Sequence, residues 1–396
     1  MDAFYASVEL LRYPDLRGAP VVIGGGGRHQ PVTLADGTRT YARLRDYAGR
    51  GVITTSTYEA RALGVHSGMG VMKAALLAPF AVLLPIDFDE YRKYSRLFKA
   101  AVREVATLVE DRGIDEIYID LTELPGAQRD AGRAAAQRLK DAVRAATGLT
   151  CSVAVAPNKL LAKIGSELDK PDGLTLLAPA DLEARIWPLA AKKVNGIGPK
   201  ASEKLATFGL HTVGDIAAAE PQWLIEHFGN SYGAWLHDAS HGRDDRPVVT
   251  FSEPKSISRE TTFERDLHAV RDRAALGDIF TELCVKLADD LARKGYASRT
   301  IGIKLRFDDF KIITRDLSLP AHTMDAKTIR RAAGECLKRV DLSRRLRLLG
   351  VRAGALATLA ELVAPLHTGA SGATVLAVRE PPASYNLPLF DTPPLA

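Results

Sequence analysis

Cysteine is scarce in this 396-residue sequence. Cys151, Cys284 and Cys336 lie far apart and no two form a Cys-x-x-Cys pair. That spacing argues against a disulfide framework or a thiolate zinc site and fits a reducing cytoplasm. Long apolar runs are lacking too. The longest, residues 74–86, contains Pro79 and Pro85 and falls well short of the ~20 residues that span a bilayer. The start has no basic stretch followed by an apolar one, so it does not read as a secretory signal. Nor does one sign of charge dominate: the net charge is +5. It is uneven, however. Residues 255–357 hold 22 Lys plus Arg against 14 Asp plus Glu, a net +8, which leaves −3 for the rest. A basic C-terminal module on a slightly acidic body suits a polyanion partner, although a basic domain alone does not require one.

What is present is ordinary for a soluble protein: 46% hydrophobic and 26% charged residues. At about 150 residues per domain, the length predicts two or three domains. Residues 1–9 read as a strand running into a helix. Residues 16–23 read as a turn and a short buried strand, followed by the flexible Gly24 to Gly27 stretch. Residues 28–50 are polar and Arg-rich without periodicity, which predicts a long loop or partly helical insertion. Strands are expected at 52–57, 114–121 and 149–155, and helices at 91–109, 131–146 and 159–168. Gly64, Gly68 and Gly70 break 60–77 into short helices and turns. This alternation predicts an α/β or α+β core. Residues 181–236 are helical with Gly turns, and 241–254 form a polar linker. Ile301, Ile303, Leu305 and Phe307 alternate with Thr300, Gly302, Lys304 and Arg306, the pattern of a half-buried strand with a basic outer face. Residues 345–349 repeat it. Beyond about 358 the chain reads as disordered, apart from its last apolar cluster.

Five groups of residues could carry chemistry. Asp115-Glu116 could present two carboxylates to divalent cations, which take oxygen ligands and complete their shells with substrate phosphates. Neighbours on a regular strand face opposite ways, so both acids serve one site only at a strand end, which Gly113 permits. An isolated Asp-Glu is more often a solvated turn. Thr55, Tyr58 and Arg61 place a hydroxyl, a phenol and a guanidinium at a helix start, suitable donors for a triphosphate; alone they also fit an ordinary surface helix. Lys159, in Pro157-Asn158-Lys159, could meet a phosphate as a point charge or be solvated. Gly196-Ile197-Gly198 followed by Pro199-Lys200 resembles a helix-hairpin-helix, whose turn grips a DNA phosphate through backbone N–H groups. A weaker copy lies at 228–233. Asn386-Leu387-Pro388-Leu389-Phe390 sets apolar anchors on a loose tail.

Together these residues resemble the Y family of translesion DNA polymerases, over about residues 1–357. Ala3-Phe4-Tyr5-Ala6-Ser7-Val8-Glu9 is similar to the end of the family's Asp-x-Asp-x-Phe-(Phe/Tyr)-Ala-x-Val-Glu. The resemblance implies that Phe4 and Tyr5 contact the nucleotide and that Tyr5 is the steric gate against a ribose 2′-OH. The segment from Gly113 to Asp120 is similar to Ser-x-Asp-Glu-Ala-Tyr-Leu-Asp, with Gly113 and Ile117 as departures. It implies that Asp115 is a metal ligand and Glu116 the second catalytic carboxylate. The motif's first Asp, a metal ligand in the family, aligns one position before Met1, and Met1 takes the place of a residue that ligates metal through its carbonyl. Asp2 matches the second acid, which is not the main ligand. The expectation is that the true chain extends upstream of Met1. Thr55, Tyr58, Arg61 and Lys159 match triphosphate-binding positions. Gly196, Gly198 and Lys200 match the thumb's grip on the duplex backbone. Lys255 matches the entry to the little finger, with Lys304 and Arg306 as backbone contacts. Asn386, Leu387, Leu389 and Phe390 resemble a sliding-clamp peptide with Asn in place of Gln.

The implied fold is an α+β multidomain right hand of palm, fingers and thumb, plus a C-terminal little finger. The palm would be 1–5 and 87–166, the fingers 6–86, the thumb 167–240, the linker 241–254, the little finger 255–357, and the tail 358–396. The implied activity is error-prone, template-directed DNA synthesis across lesions with two Mg²⁺ ions. Partners would be primer-template DNA, a dNTP and a sliding clamp. No membrane is involved, and the protein would be a cytoplasmic monomer. Two alternatives stay open: a DNA- and clamp-binding relative that has lost its chemistry, and a helix-hairpin-helix protein with an unrelated α/β domain.

Overall fold

Helix α1 (Phe4–Arg12) opens the chain and buries Phe4, Ala6, Val8 and Glu9. The strand expected ahead of it does not form. Ala3 sits in the left-handed region (φ 40°) and turns the chain straight into the helix. Asp2 N–H donates to Thr150 O (3.2 Å). The computed structural model describes residues 1–127 and 129–363. They divide into two units, Met1–Phe251 and a second that begins at Ser252.

In the first unit, β1 (Val21–Gly24) is buried along its length, as its unbroken apolar run requires. Residues 28–50 carry a short hairpin, β2 (Val32–Thr33) and β3 (Arg39–Thr40). They then drive Leu44 and Tyr47 into the core beside Val22 and Ile53. Much of this stretch is therefore structural; of the long loop or partly helical insertion expected, a short helical turn forms at Leu44–Asp46. Strand β4 (Ile53–Ser56) leads into α2 (Tyr58–Ala62), capped by Thr57. Helix α3 (Val71–Leu77) precedes β5 (Val82–Leu84). The sheet order is β4-β1-β5, with β1 antiparallel to β4 and parallel to β5.

Helix α4 (Phe88–Val105) is capped by Asp87 and ends short of the expected residue 109. Ala106 turns extended, and β6 (Val109–Asp111) pairs antiparallel with β7 (Ile117–Ile119). Helix α5 (Arg133–Thr147) packs on α4. A crossover unit follows: β8 (Val153–Val155), α6 (Lys159–Leu168) and β9 (Leu174–Leu176), with β8 and β9 parallel. Then come four helices, α7 (Pro199–Thr207), α8 (Val213–Ala218), α9 (Pro221–Phe228) and α10 (Asn230–Ser240). They share a core of Leu205, Val213, Ile216, Leu224 and Leu236.

The segment expected as a polar linker, 241–254, is strapped down from Gly242 to Val249. Gly242 O accepts from Asn158 Nδ2 (2.7 Å), and the Asp244 carboxylate accepts from Leu160 N–H (2.9 Å). Pro247 O accepts from Lys159 Nζ (2.7 Å), and Val249 N–H donates to Glu110 (2.9 Å).

The second unit contains β10 (Ser256–Leu267), α11 (Arg273–Lys294), β11 (Tyr296–Phe307), β12 (Ile312–Thr323), α12 (Ala326–Leu337), β13 (Leu346–Thr358) and α13 (Leu359–Val363). The sheet order is β10-β13-β11-β12, antiparallel throughout. Ile301, Ile303, Leu305 and Phe307 join Leu283, Leu287 and Ile329 of the helices in one core. The opposite face is charged. Lys304 pairs with Glu260 (2.9 Å), and Arg352 with Asp316 (2.7 Å). Gly302 and Gly350 keep the space these pairs occupy, because a Cβ there would collide with Asp316 and Glu260. Residues just after 358, expected as loose tail, form α13. Among the described residues, no helix is long and apolar enough to cross a membrane.

Candidate functional site

The turn between β6 and β7 is built to hold two acids on one side. Lys99 of α4 donates to both Asp111 carboxylate oxygens (2.8 and 2.7 Å) and to Gly113 O (2.7 Å). Gly113, at φ 153°, takes a backbone conformation that favours glycine. Because β7 starts only at Ile117, Asp115 and Glu116 lie in the turn, free of strand alternation. Both line one cavity with Met1, Tyr118, Ser152, Lys163, Ser166 and Lys170. Its apolar wall includes Phe98, Val102, Leu139 and Val143.

Burial pushes the Asp115 carboxyl above the usual carboxylate range; the Met1 ammonium opposes this and Glu116 adds to it. Met1 N donates to Asp115 O (2.9 Å). Glu116 pairs with Lys163. Burial works against the Lys163 ammonium, but Glu116, with help from Glu167 and Tyr118, turns the net shift upward. Lys170 pairs with Glu167 (2.5 Å). Lys163 and Lys170 are cations that the sequence reading missed. One signal was the four-residue spacing of Lys163 from Lys159; the other was the Lys-Pro-Asp-Gly turn that ends α6. Lys159 itself is turned away from this cavity. Its ammonium pairs with buried Glu110 (2.7 Å), donates to Pro247 O and lies over the Tyr118 ring. Asp2 is not in the cavity lining either. It accepts from Ser152 Oγ (2.7 Å) and Asp172 N–H (2.9 Å), which ties the chain start to the turn after α6.

Thr55, Tyr58 and Arg61 do come together. The Arg61 guanidinium lies 4.8 Å from the Tyr58 ring centre, donates to Ser56 O (3.1 Å) and reaches Thr55 Oγ1 (3.5 Å). The Tyr58 hydroxyl is buried and has no hydrogen-bond partner among the described residues. Burial first, then the charge of Asp2, moves it up to about 12. A buried donor without an acceptor costs free energy, and a ligand oxygen would relieve it. Phe4 is buried, its ring 5.6 Å from that of Tyr5. Tyr5 stacks on Tyr91 (4.4 Å) and meets Phe88 edge-on (5.9 Å). Burial, then Asp115, raises its hydroxyl pKa.

The donor chemistry fits a hard cation held largely by a substrate. Among the described residues, no group of three or more His, Cys, Asp or Glu could hold a metal ion. Two carboxylates, here Asp115 and Glu116 on one cavity, are a share that Mg²⁺ can take when phosphates and water complete its shell. Lys163 on Glu116 is a countercharge that a cation could replace.

Gly196 (φ 115°) turns beneath Trp235, where a Cβ would meet the ring at 2.6 Å, and its carbonyl accepts from Tyr232 (3.0 Å). Gly198 then caps α7, with Lys200 exposed in the first turn. The weaker copy differs: Gly229 (φ 85°) turns the chain, whereas Gly233 is a helix contact against the α9 backbone. In the second unit, Lys255 is exposed, and the buried Nε of Arg306 has no hydrogen-bond partner among the described residues. Asn386, Leu387, Leu389 and Phe390 lie outside the described residues.

Residues 1–167 match the impB/mucB/samB family, and residues 254–362 match that family's C-terminal domain. The chain is 39% identical over 359 residues to the DNA polymerase IV of Streptomyces coelicolor, spanning 90% of this chain and 70% of that one. It is 40% identical over 352 residues to the DNA polymerase IV of Methanoculleus marisnigri, spanning 89% and 91%. Among solved structures it resembles a Y-family DNA polymerase chimera, Dbh-Dpo4(243-245)-Dbh. The TM-score there is 0.74 at 25% identity, over 90% of this chain and 98% of the other. An insertion ternary complex of Dbh DNA polymerase, at 24% identity and TM-score 0.60, shares the fold. The chain belongs to the impB/mucB/samB family, the Y-family DNA polymerases, a class of DNA-directed DNA polymerases that includes translesion enzymes.

Proposed function

We propose that this chain extends a DNA primer across damaged template, adding dNTPs by nucleotidyl transfer. The observation that carries this reading is the single cavity holding Asp115, Glu116, Lys163 and Lys170. Asp115 and Glu116 would hold Mg²⁺, with two ions engaged when a nucleotide is present. Bound metal supplies positive charge where the transferred phosphoryl group gains negative charge. Arg61, Thr55 and the unpartnered Tyr58 hydroxyl bind the triphosphate. Lys163 and Lys170 neutralise phosphate oxygens, a role the geometry suits better than it suits Lys159. Tyr5 closes the space beneath the sugar, and Phe4 supports it.

In this reading, residues 1–5 and 87–166 are the palm, 6–86 the fingers, 167–240 the thumb and 255–357 the little finger. The turn at Gly196 and Gly198, with Lys200, grips the duplex backbone, while Lys255, Lys304 and Arg306 meet phosphates. Asn386, Leu387, Leu389 and Phe390 dock on a sliding clamp. The enzyme acts as a cytoplasmic monomer. Primer extension with Mg²⁺ tests the assignment, with Asp115→Ala and Glu116→Ala as probes. Retained synthesis in both variants would sink it. DNA binding without synthesis by the unaltered chain would favour a non-catalytic DNA-binding relative.

A further inference from the structure

Tyr5, Glu9 and Arg12 sit at i, i+4 and i+7 of α1, one face of the helix. That face meets the start of α4 at Asp87, Phe88 and Tyr91. Tyr91 is fully buried, and its hydroxyl donates to Glu9 Oε1 (2.7 Å). Glu9 is only 2% exposed and is held from its other side by Arg12 (3.3 Å). Arg12 in turn pairs with Asp87 (3.0 Å), the cap of α4. An apolar side chain would fill the place of Glu9 without the cost of a buried carboxylate. What the carboxylate adds is a direction: it fixes where the Tyr91 hydroxyl points, and so how the Tyr91 ring lies. Tyr5 stacks on that ring at 4.4 Å with 28° between planes.

We propose that Tyr91, anchored by Glu9, positions the Tyr5 ring and thereby sets how strongly the site rejects ribonucleotides. The proposal rests on the reading of Tyr5 as the sugar gate. A gate that works by contact is sensitive to displacements of an ångström or less, since misplacement by about 1 Å can change rates about 100-fold. Tyr91 is a positioning residue: it acts through Tyr5.

The test is single-nucleotide insertion by the full chain, comparing kcat/KM for a dNTP with that for the matching rNTP. Tyr5→Ala should relax the ratio most. Tyr91→Phe, which keeps the ring and drops the hydroxyl, should relax it about fivefold, the scale of one hydrogen bond. The change should come mainly from a lower KM for the ribonucleotide. Tyr91→Leu should relax it further. Glu9→Gln, which keeps an acceptor for the Tyr91 hydroxyl, should stay nearer the parent than Glu9→Leu. In a Tyr5→Ala background, Tyr91→Phe should change the ratio no further, which a purely structural role would not predict. The proposal is overturned if Tyr91→Phe and Tyr91→Leu keep the parental ratio while Tyr5→Ala relaxes it. It is also overturned if the Tyr91 variants lower dNTP and rNTP insertion equally. If Tyr5→Ala itself keeps the ratio, the gate reading fails and this proposal falls with it.

Discussion

Five buried or half-buried groups of the first unit and several acids of the second are displaced in opposite ways. In the first, Asp115, Tyr5, Tyr58, Tyr118 and Glu9 are all displaced upward, with burial as the largest cause. In the second, the acids are held down by hydrogen bonds. Arg265 brings Asp272 to about 2, Arg259 lowers Asp290, and the Thr328 backbone lowers Asp325. Burial without a matching partner leaves a cost that a ligand can relieve, whereas a carboxylate already bonded to arginine has nothing further to gain. The first unit is poised for chemistry. In the second, arginines already hold acids such as Asp272, Asp290 and Asp316.

The sharpest way to break this contrast is Asp115→Asn. Primer extension should fall by roughly 1,000-fold or more, because the anion beside the reacting phosphate is lost. Stability should move the other way. A carboxyl whose folded pKa is raised favours folding while protonated in the native state, and that contribution is lost as pH rises through the raised value. At pH 7 to 8 the folded chain therefore carries an unfavourable charge, and its neutral isostere should melt higher. An inactive variant that melts lower would show Asp115 to be satisfied by its surroundings, and the contrast would collapse.

Next in size is the triphosphate cluster. Arg61→Ala should raise KM for dNTP by roughly 10- to 100-fold, the range for losing a hydrogen bond to a charged group. Tyr58→Phe should raise it by about tenfold or less and leave thermal stability equal or higher, since the hydroxyl it removes has no hydrogen-bond partner among the described residues. A clear loss of stability in Tyr58→Phe would mean that the hydroxyl serves the protein rather than a ligand.

The sequence made much of this legible, for identifiable reasons. Helix α6 was bounded correctly because Asn158 is a strong cap and Lys159 to Leu168 is clean helical pattern. Strand β11 was legible because one of its faces is buried and the other is not, so its side chains alternate. The end of α4 was not: Leu108 continues the apolar spacing beyond the point where Ala106 breaks the helix. Residues 28–50 hid two core residues, Leu44 and Tyr47, in a polar stretch too short to show a period. At the site, the motif singles out Asp115 and Glu116, and the structure places both on one cavity. The motif does not single out Lys163 and Lys170, because which lysine of α6 or of the turn after it enters a cavity depends on what occupies the others. Lys159 is claimed by Glu110 and the strap at Pro247, partners distant in sequence.

In the second unit, effects should be smaller and salt-dependent. Lys304→Ala should weaken DNA binding across sequences and reduce the slope of log affinity against log salt by about 1. Glu260→Gln should strengthen binding at low salt, since Glu260 pairs with Lys304 and would compete with a phosphate for it. Fluorescence anisotropy across a salt series measures both, and unchanged slopes would remove this face from the contact surface.

The smallest effect tests whether the second unit's acids are as settled as they look. Arg259 holds Asp290 through two hydrogen bonds, and Arg293 adds a third. The pair is partly exposed, so Arg259→Ala should cost about 1 kcal/mol or less. Its pH dependence carries the information. Asp290 is held below its ordinary 3.8, so its contribution is fully present above that value and is lost as pH falls through the lowered one. Melting curves of parent and variant should differ by a constant amount from pH 5 to 8 and converge toward pH 2. A difference that instead grows with acid would mean that Asp290 is protonated early and that the arginine serves another group.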